Sequence, residues 1–133
     1  MICYKKYFQQ NQYYGKFYKV LLIFLGMGID VNDSNFEKEV LEASKEKGVL
    51  VDFWASWCNP CMILKPVLEK VSEDYKDKMI FVKVNVEENQ GRAGEFGVMS
   101  IPDVKLFKDG KVVDGFTGAQ PEEKIREWLD SKL

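Results

Sequence analysis

The stretch Val49-Leu50-Val51-Asp52-Phe53-Trp54 is a nearly unbroken apolar run, and just beyond it stand two cysteines, Cys58 and Cys61, with only Asn59-Pro60 between them. A run rich in β-branched and aromatic residues, without polar alternation, suits a strand covered on both faces. After the pair, Ile63, Val67 and Val71, joined by Leu64, Leu68 and Tyr75, recur at helical spacing, and Pro60 suits a first helical turn. The cysteines are therefore expected where a central strand hands over to the N-terminus of a helix.

That junction favours reactivity. The unpaired N–H groups and positive dipole end of a helix stabilise a thiolate over a thiol, so Cys58 is expected to be the nucleophile. Cys61, one turn further on and more enclosed, is placed to attack a mixed disulfide formed at Cys58. The alternatives are an inert structural disulfide or half of a metal site. A tetrahedral zinc site needs four ligands, but the chain has no histidine and its remaining cysteine is the remote Cys3. The absence of histidine also excludes cysteine–histidine hydrolases and imidazole proton transfer. Three cysteines do not make the paired framework of a disulfide-stapled domain, and 133 residues with 46% apolar content can bury a core without one.

Asp52 interrupts the apolar run. A carboxylate buried without a partner costs several kcal/mol, so its pKa is expected to rise, which suits it to take the proton of Cys61 as that thiol attacks. Residues 80–86 read as a second buried strand, with Phe81, Lys83 and Asn85 on one face and Val82, Val84 and Val86 on the other. Lys83 is the odd residue there, and from a neighbouring strand it could tune Asp52. An outward-facing or salt-bridged Asp52 is the bland alternative.

The remaining pattern completes a fold. Asp33 or Ser34 is expected to cap a helix carrying Phe36, Val40 and Leu41, with Gly48 ending it. A short helix is expected over residues 90–96, then a hairpin of residues 104–107 and 112–116 around Asp109-Gly110, then a helix opened by Pro121. Helix, strand, helix, strand, helix, hairpin and helix imply an α/β fold with a central mixed sheet flanked by helices on both faces.

Residues 1–29 differ in character: they carry Lys5, Lys6, Lys16 and Lys19 with no acid, so the rest of the chain holds −6 against a total of −2. Residues 1–28 read as an N-terminal extension to a domain of residues 29–133. The run from Val20 to Leu25 is too short to span a bilayer and lacks a small-residue cleavage site. Open readings are an export signal or membrane tether, a mobile extension, or a start assigned upstream of Met27. The acidic balance offers no basic stripe for nucleic acid.

The segment Val51-Asp52-Phe53-Trp54-Ala55-Ser56-Trp57-Cys58-Asn59-Pro60-Cys61 closely resembles the active-site segment of the thioredoxin family, V-D-F-W-A-x-W-C-G-P-C. The resemblance covers about residues 29–133 and takes in Pro66, Lys83, Ile101-Pro102, Leu106-Phe107, Asp109-Gly110 and Gly118. It implies the thioredoxin fold and a protein-disulfide reductase that maintains thiol redox balance, with Cys58 attacking, Cys61 resolving, Asp52 accepting the proton and Lys83 beside it. It further implies a cis bond before Pro102, with the backbone of Ile101 pairing with the substrate chain. Trp57, Asn59, Pro60, Gly97, Ile101, Pro102 and Gly118 would face the substrate.

No bound cofactor is implied beyond the redox pair itself. The implied partners are disulfide-bearing substrate proteins and a flavoprotein thioredoxin reductase, for a monomer in the cytoplasm, with membrane contact only if residues 1–28 tether it. Departures from the family pattern are Asn59 for glycine, Met62 for lysine or arginine, Ser100 for glycine, and Asp103 for threonine, the last expected to add negative charge near the substrate groove. Competing functions are a tethered or exported oxidoreductase of the cytochrome-maturation type, which usually has an insertion where this chain has a short connection, and a non-enzymatic binding subunit.

Overall fold

The apolar run becomes strand β2 (Gly48–Trp54), buried along nearly its whole length. The computed structural model describes residues 12–133. Residues 1–11, including Cys3, Lys5 and Lys6, lie outside the described residues.

Strand β2 is the middle of a five-stranded sheet. Strands β1 (Ile29–Asp30) and β3 (Met79–Asn85) lie on one side, and β4 (Asp103–Lys108) and β5 (Lys111–Thr117) on the other, in the order β1-β3-β2-β4-β5. β1, β3 and β2 run parallel, while β2–β4 and β4–β5 are antiparallel. The β4–β5 turn places Asp109 at φ 54° and Gly110 at φ 78°, both left-handed, which is why an Asp-Gly pair serves there.

Alternation along β2 sorts the core into two layers. Leu50 packs with Leu64 and Leu68 of helix α2 (Asn59–Asp74) and with Ile125 and Leu129 of helix α4 (Glu122–Lys132). Val49, Val51 and Phe53 pack on the opposite face with Phe36, Val40, Phe107 and Ala93 of helix α3 (Gln90–Glu95). Asp52 thus shares the α2 side of the sheet with Leu50. Helix α2 runs through Pro66, whose ring is solvent-exposed and which cannot donate to the carbonyl of Met62.

The segment before β2 differs from the expected α-helix. It is a wide π-helical turn, Glu37–Glu42, followed by a 3-10 turn, Ala43–Lys45, and Gly48 begins the strand instead of ending the helix. Two tertiary anchors shape it. Asn32, not Asp33 or Ser34, caps its entry, its Oδ1 accepting from the N–H groups of Ser34 and Asn35, both at 3.0 Å. At its exit, Ser44 is tied to the hairpin turn: its carbonyl accepts from Asp109 N–H at 2.8 Å and its Oγ from Gly110 N–H at 2.8 Å. Asp33 reaches across instead to α3, accepting from the N–H groups of Gly91 at 3.0 Å and Arg92 at 3.1 Å.

Helix α1 (Gln12–Phe24) precedes this core. Gly26, with φ 71°, lies so close to α2 that an added Cβ would sit 2.7 Å from the Glu69 carbonyl oxygen. The Lys19 ammonium pairs with Glu39, fastening α1 to the π-helical turn.

Candidate active site

Strand β2 ends at Trp54, and a tight turn, with Cys58 N–H donating to the Ala55 carbonyl at 3.2 Å, carries the chain into α2. Glu87 steadies this turn, its Oε1 accepting from the backbone N–H of Ser56 at 3.1 Å and from its hydroxyl at 2.9 Å. Cys58 is the N-cap of α2, with an extended backbone (φ −90°, ψ 105°), and its Sγ accepts from Cys61 N–H at 3.2 Å. A sulfur thus fills the role usually taken by a Ser or Asp oxygen at a helix start. Cys58 and Cys61 form a disulfide, with Cα atoms 5.2 Å apart, and both are buried among Ala55, Trp54, Val86 and Ile101.

Asp52 is 2% exposed, and its Oδ1 has no hydrogen-bond partner among the described residues. Burial pushes its carboxyl up from 3.8 to about 7; the Lys83 charge opposes that rise and the Asp103 charge adds to it. The parallel register sets Asp52 opposite Lys83, and both line a small cavity with Trp54, Cys61, Met62 and Lys65. Asp52, Lys83 and Cys61 are therefore brought together, as a proton transfer requires. The carboxylate within 4.0 Å of Lys83 Nζ is that of Asp30, at 3.8 Å.

A second group of residues surrounds Cys58 at the surface. Trp57 is 69% exposed, Asn59 and Pro60 are exposed, and Cys58 Sγ lies 3.7 Å from the carbonyl oxygen of Ile101. The Ile101–Pro102 peptide bond is cis. Gly118, at φ 81°, donates its N–H to the Pro102 carbonyl at 2.8 Å, so it borders the same loop. Gly97 follows the end of α3 at φ 69° in open space, and no hydrogen bond joins it to the cysteine pair.

Asp103 departs from expectation. It is buried, opposite Phe53 in the β2–β4 register, and pairs with Lys105 Nζ at 3.2 Å, so its charge sits inside the fold, where Asp52 feels it, instead of lying open to a substrate groove. Sequence reasoning also missed Asp30 and Glu87. Asp30 belongs to a two-residue strand and Glu87 acts on a residue 31 positions earlier, so neither carries a local pattern. Met62 and Ile63 on α2 and Met99 before the cis bond are also exposed apolar residues. Among the described residues no group of three or more His, Cys, Asp or Glu side chains could hold a metal ion.

Comparison with known proteins agrees with this geometry. The thioredoxin family model matches residues 28–131. The chain is 46% identical to the thioredoxin of Chlorobaculum thiosulfatiphilum over 108 residues, 81% of this chain and 98% of that protein. It is 46% identical to the thioredoxin of Staphylococcus haemolyticus over 105 residues, 79% of this chain and 97% of that one. With the thioredoxin of Rickettsia felis it shares 40% identity over 107 residues, 80% of this chain and the whole of that protein.

Proposed function

We propose that in this chain, which belongs to the thioredoxin family and is a protein-disulfide reductase, Cys58 is the attacking thiol and Cys61 the resolving one. The observation that carries this assignment is the N-cap position of Cys58, whose sulfur already accepts the Cys61 N–H at the positive end of a 16-residue helix. Once the pair is reduced, the same N–H and dipole stabilise a Cys58 thiolate.

The thiolate attacks one sulfur of a substrate disulfide, forming a Cys58–substrate bond and releasing the other substrate sulfur as a thiolate. Asp52, whose carboxyl is held near neutrality, takes the Cys61 proton. Cys61 then attacks Cys58 Sγ, which frees the second substrate thiol and leaves the Cys58–Cys61 disulfide seen in the structure. The substrate gains two electrons and the pair loses them. Lys83 moderates the Asp52 pKa from the neighbouring strand.

Substrate chains lie over exposed Trp57, Asn59 and Pro60 and along half-buried Ile101 and Gly118, with Pro102 buried between them, where contacts to the backbone recognise extended chain rather than one sequence. Gly97 belongs to the same face by family resemblance. A flavoprotein thioredoxin reductase returns the electrons, and the protein acts as a cytoplasmic monomer whose catalytic domain is residues 29–133. No helix among the described residues is long and apolar enough to cross a membrane.

The assignment is tested by trapping. Cys61→Ser exposed to cell protein is expected to accumulate mixed disulfides that dithiothreitol releases, all through Cys58. With Cys3→Ser present in every variant, adducts that persist in Cys58→Ser/Cys61→Ser, or none in Cys61→Ser, would contradict it.

A further inference from the structure

We propose that helix α1 seats this protein on an anionic phospholipid surface, lying in the plane of the headgroups and leaving the cysteine pair turned away. The helix presents two different faces. Lys19, Leu22 and Ile23 are partly buried towards the domain, and Gly26 beyond them packs on α2. On the opposite face Val20, Leu21, Phe24 and Leu25 are between 47% and 62% exposed. Such a contiguous apolar surface on a soluble domain is a mark of an interaction site.

Charge selects the occupant. Residues 1–29 carry four lysines and no acid in a chain of net −2. Lys16 stands exposed at the start of the helix, and Lys76 of the segment following α2 holds its Nζ 4.3 Å from the Phe24 ring centroid at the other end. Of the nearby acids, Glu39 pairs with Lys19, and the backbone of Glu69 and Glu73 of α2 packs against Gly26, while the Glu73 and Asp77 side chains are exposed beside Lys76. An apolar strip flanked by lysines fits a bilayer whose acyl chains accept the strip and whose phosphates accept the lysines. The helix has 13 residues, about 20 Å at 1.5 Å per residue, and lies on a bilayer instead of crossing its hydrocarbon core of about 30 Å.

The geometry also sets the orientation. Phe24 and Gly26 meet Lys76, Glu69 and Glu73 at the C-terminal half of α2, whereas Cys58 caps the N-terminus of that helix, about 20 Å away by helical rise. Docking through α1 therefore keeps the exposed Trp57, beside the cysteine pair, a helix length from the membrane contact.

The full chain is mixed with vesicles of phosphatidylcholine alone or of phosphatidylcholine with phosphatidylglycerol, and co-sedimentation is measured. Retention on the phosphatidylglycerol vesicles, released by high salt, is expected. Leu21→Glu/Phe24→Glu should weaken it by about tenfold or more and Lys16→Glu by a smaller factor. Insulin reduction by these variants is expected to match the unmodified chain in solution, which shows that they fold and reads the disulfide chemistry separately. No retention on either vesicle, or equal retention on both, would overturn the proposal. So would a dimer in sedimentation velocity that Leu21→Glu/Phe24→Glu dissociates without any vesicle binding, since a second copy would then cover the strip.

Discussion

Lys83 stands opposite Asp52 in the parallel register of β2 and β3, yet the carboxylate within 4.0 Å of its ammonium is Asp30, at 3.8 Å. Asp52 feels Lys83 as a nearby charge and keeps an Oδ1 with no hydrogen-bond partner among the described residues. One lysine is thus shared between a half-exposed acid on the edge strand and a buried acid beside Cys61. Burial is the main reason Asp52 holds its proton, and the Lys83 charge opposes it.

Lys83→Met removes the charge that opposes protonation of Asp52. The Asp52 carboxyl of the oxidised protein is then expected to titrate above about 7. NMR titration of the carboxyl carbon reads this directly, and an unchanged or lowered pKa would contradict the assigned role of Lys83.

Asp52 also makes stability depend on pH. Its folded pKa is raised from 3.8 to about 7, so the folded state holds a proton that the unfolded state releases between those values. The stability that Asp52 contributes is fully present below about pH 4 and is lost as pH rises to about 7, by roughly 4 kcal/mol at 1.36 kcal/mol per pKa unit. Asp52→Asn is expected to remove this dependence, becoming more stable than the unmodified chain at pH 8 and similar to it at pH 4. Urea unfolding at the two pH values checks the sign. The same variant is expected to slow release of the Cys58–substrate disulfide more than its formation, and equal slowing of both steps would remove the proton-acceptor role.

Asp33 is a tertiary cap, accepting from the Gly91 and Arg92 N–H groups of a six-residue helix. Asp33→Ala should cost about 1 kcal/mol in urea unfolding, since helix start groups lose their acceptor. The faster hydrogen exchange should concentrate in α3.

Gly26→Ala faces both a left-handed backbone and the Glu69 carbonyl. About 2 kcal/mol of local destabilisation is expected, from αL strain and overpacking. Hydrogen exchange should quicken in α1 while β2 and β3 keep their protection.

How much of this was legible in the sequence follows from where each signal lies. The central strand, the helix start and the hairpin are local: residues 49–54 are apolar throughout, Asn59-Pro60 opens α2, and Asp109-Gly110 supplies two left-handed residues. Strand β1 has two residues and no period to read, and it is identified only by its pairing with Val82 and Lys83. Apolar spacing at Phe36 and Val40 marks a helical segment but does not separate an α-helix from π-helical and 3-10 turns, which here follow from the anchors at Asn32 and Ser44. In the candidate site, the cysteines and Asp52 stood out by position, an acid in an apolar strand and a thiol at a helix start. Asp103 did not, because its burial and its ion pair with Lys105 depend on the sheet register.

The most direct test of the central claim is dithiothreitol-driven reduction of insulin disulfides at neutral pH, comparing the unmodified chain with Cys58→Ser. Rapid reduction by the unmodified chain that falls to the rate of dithiothreitol alone in Cys58→Ser is expected. Equal acceleration by both proteins, or by neither, would contradict a disulfide reductase that works through Cys58.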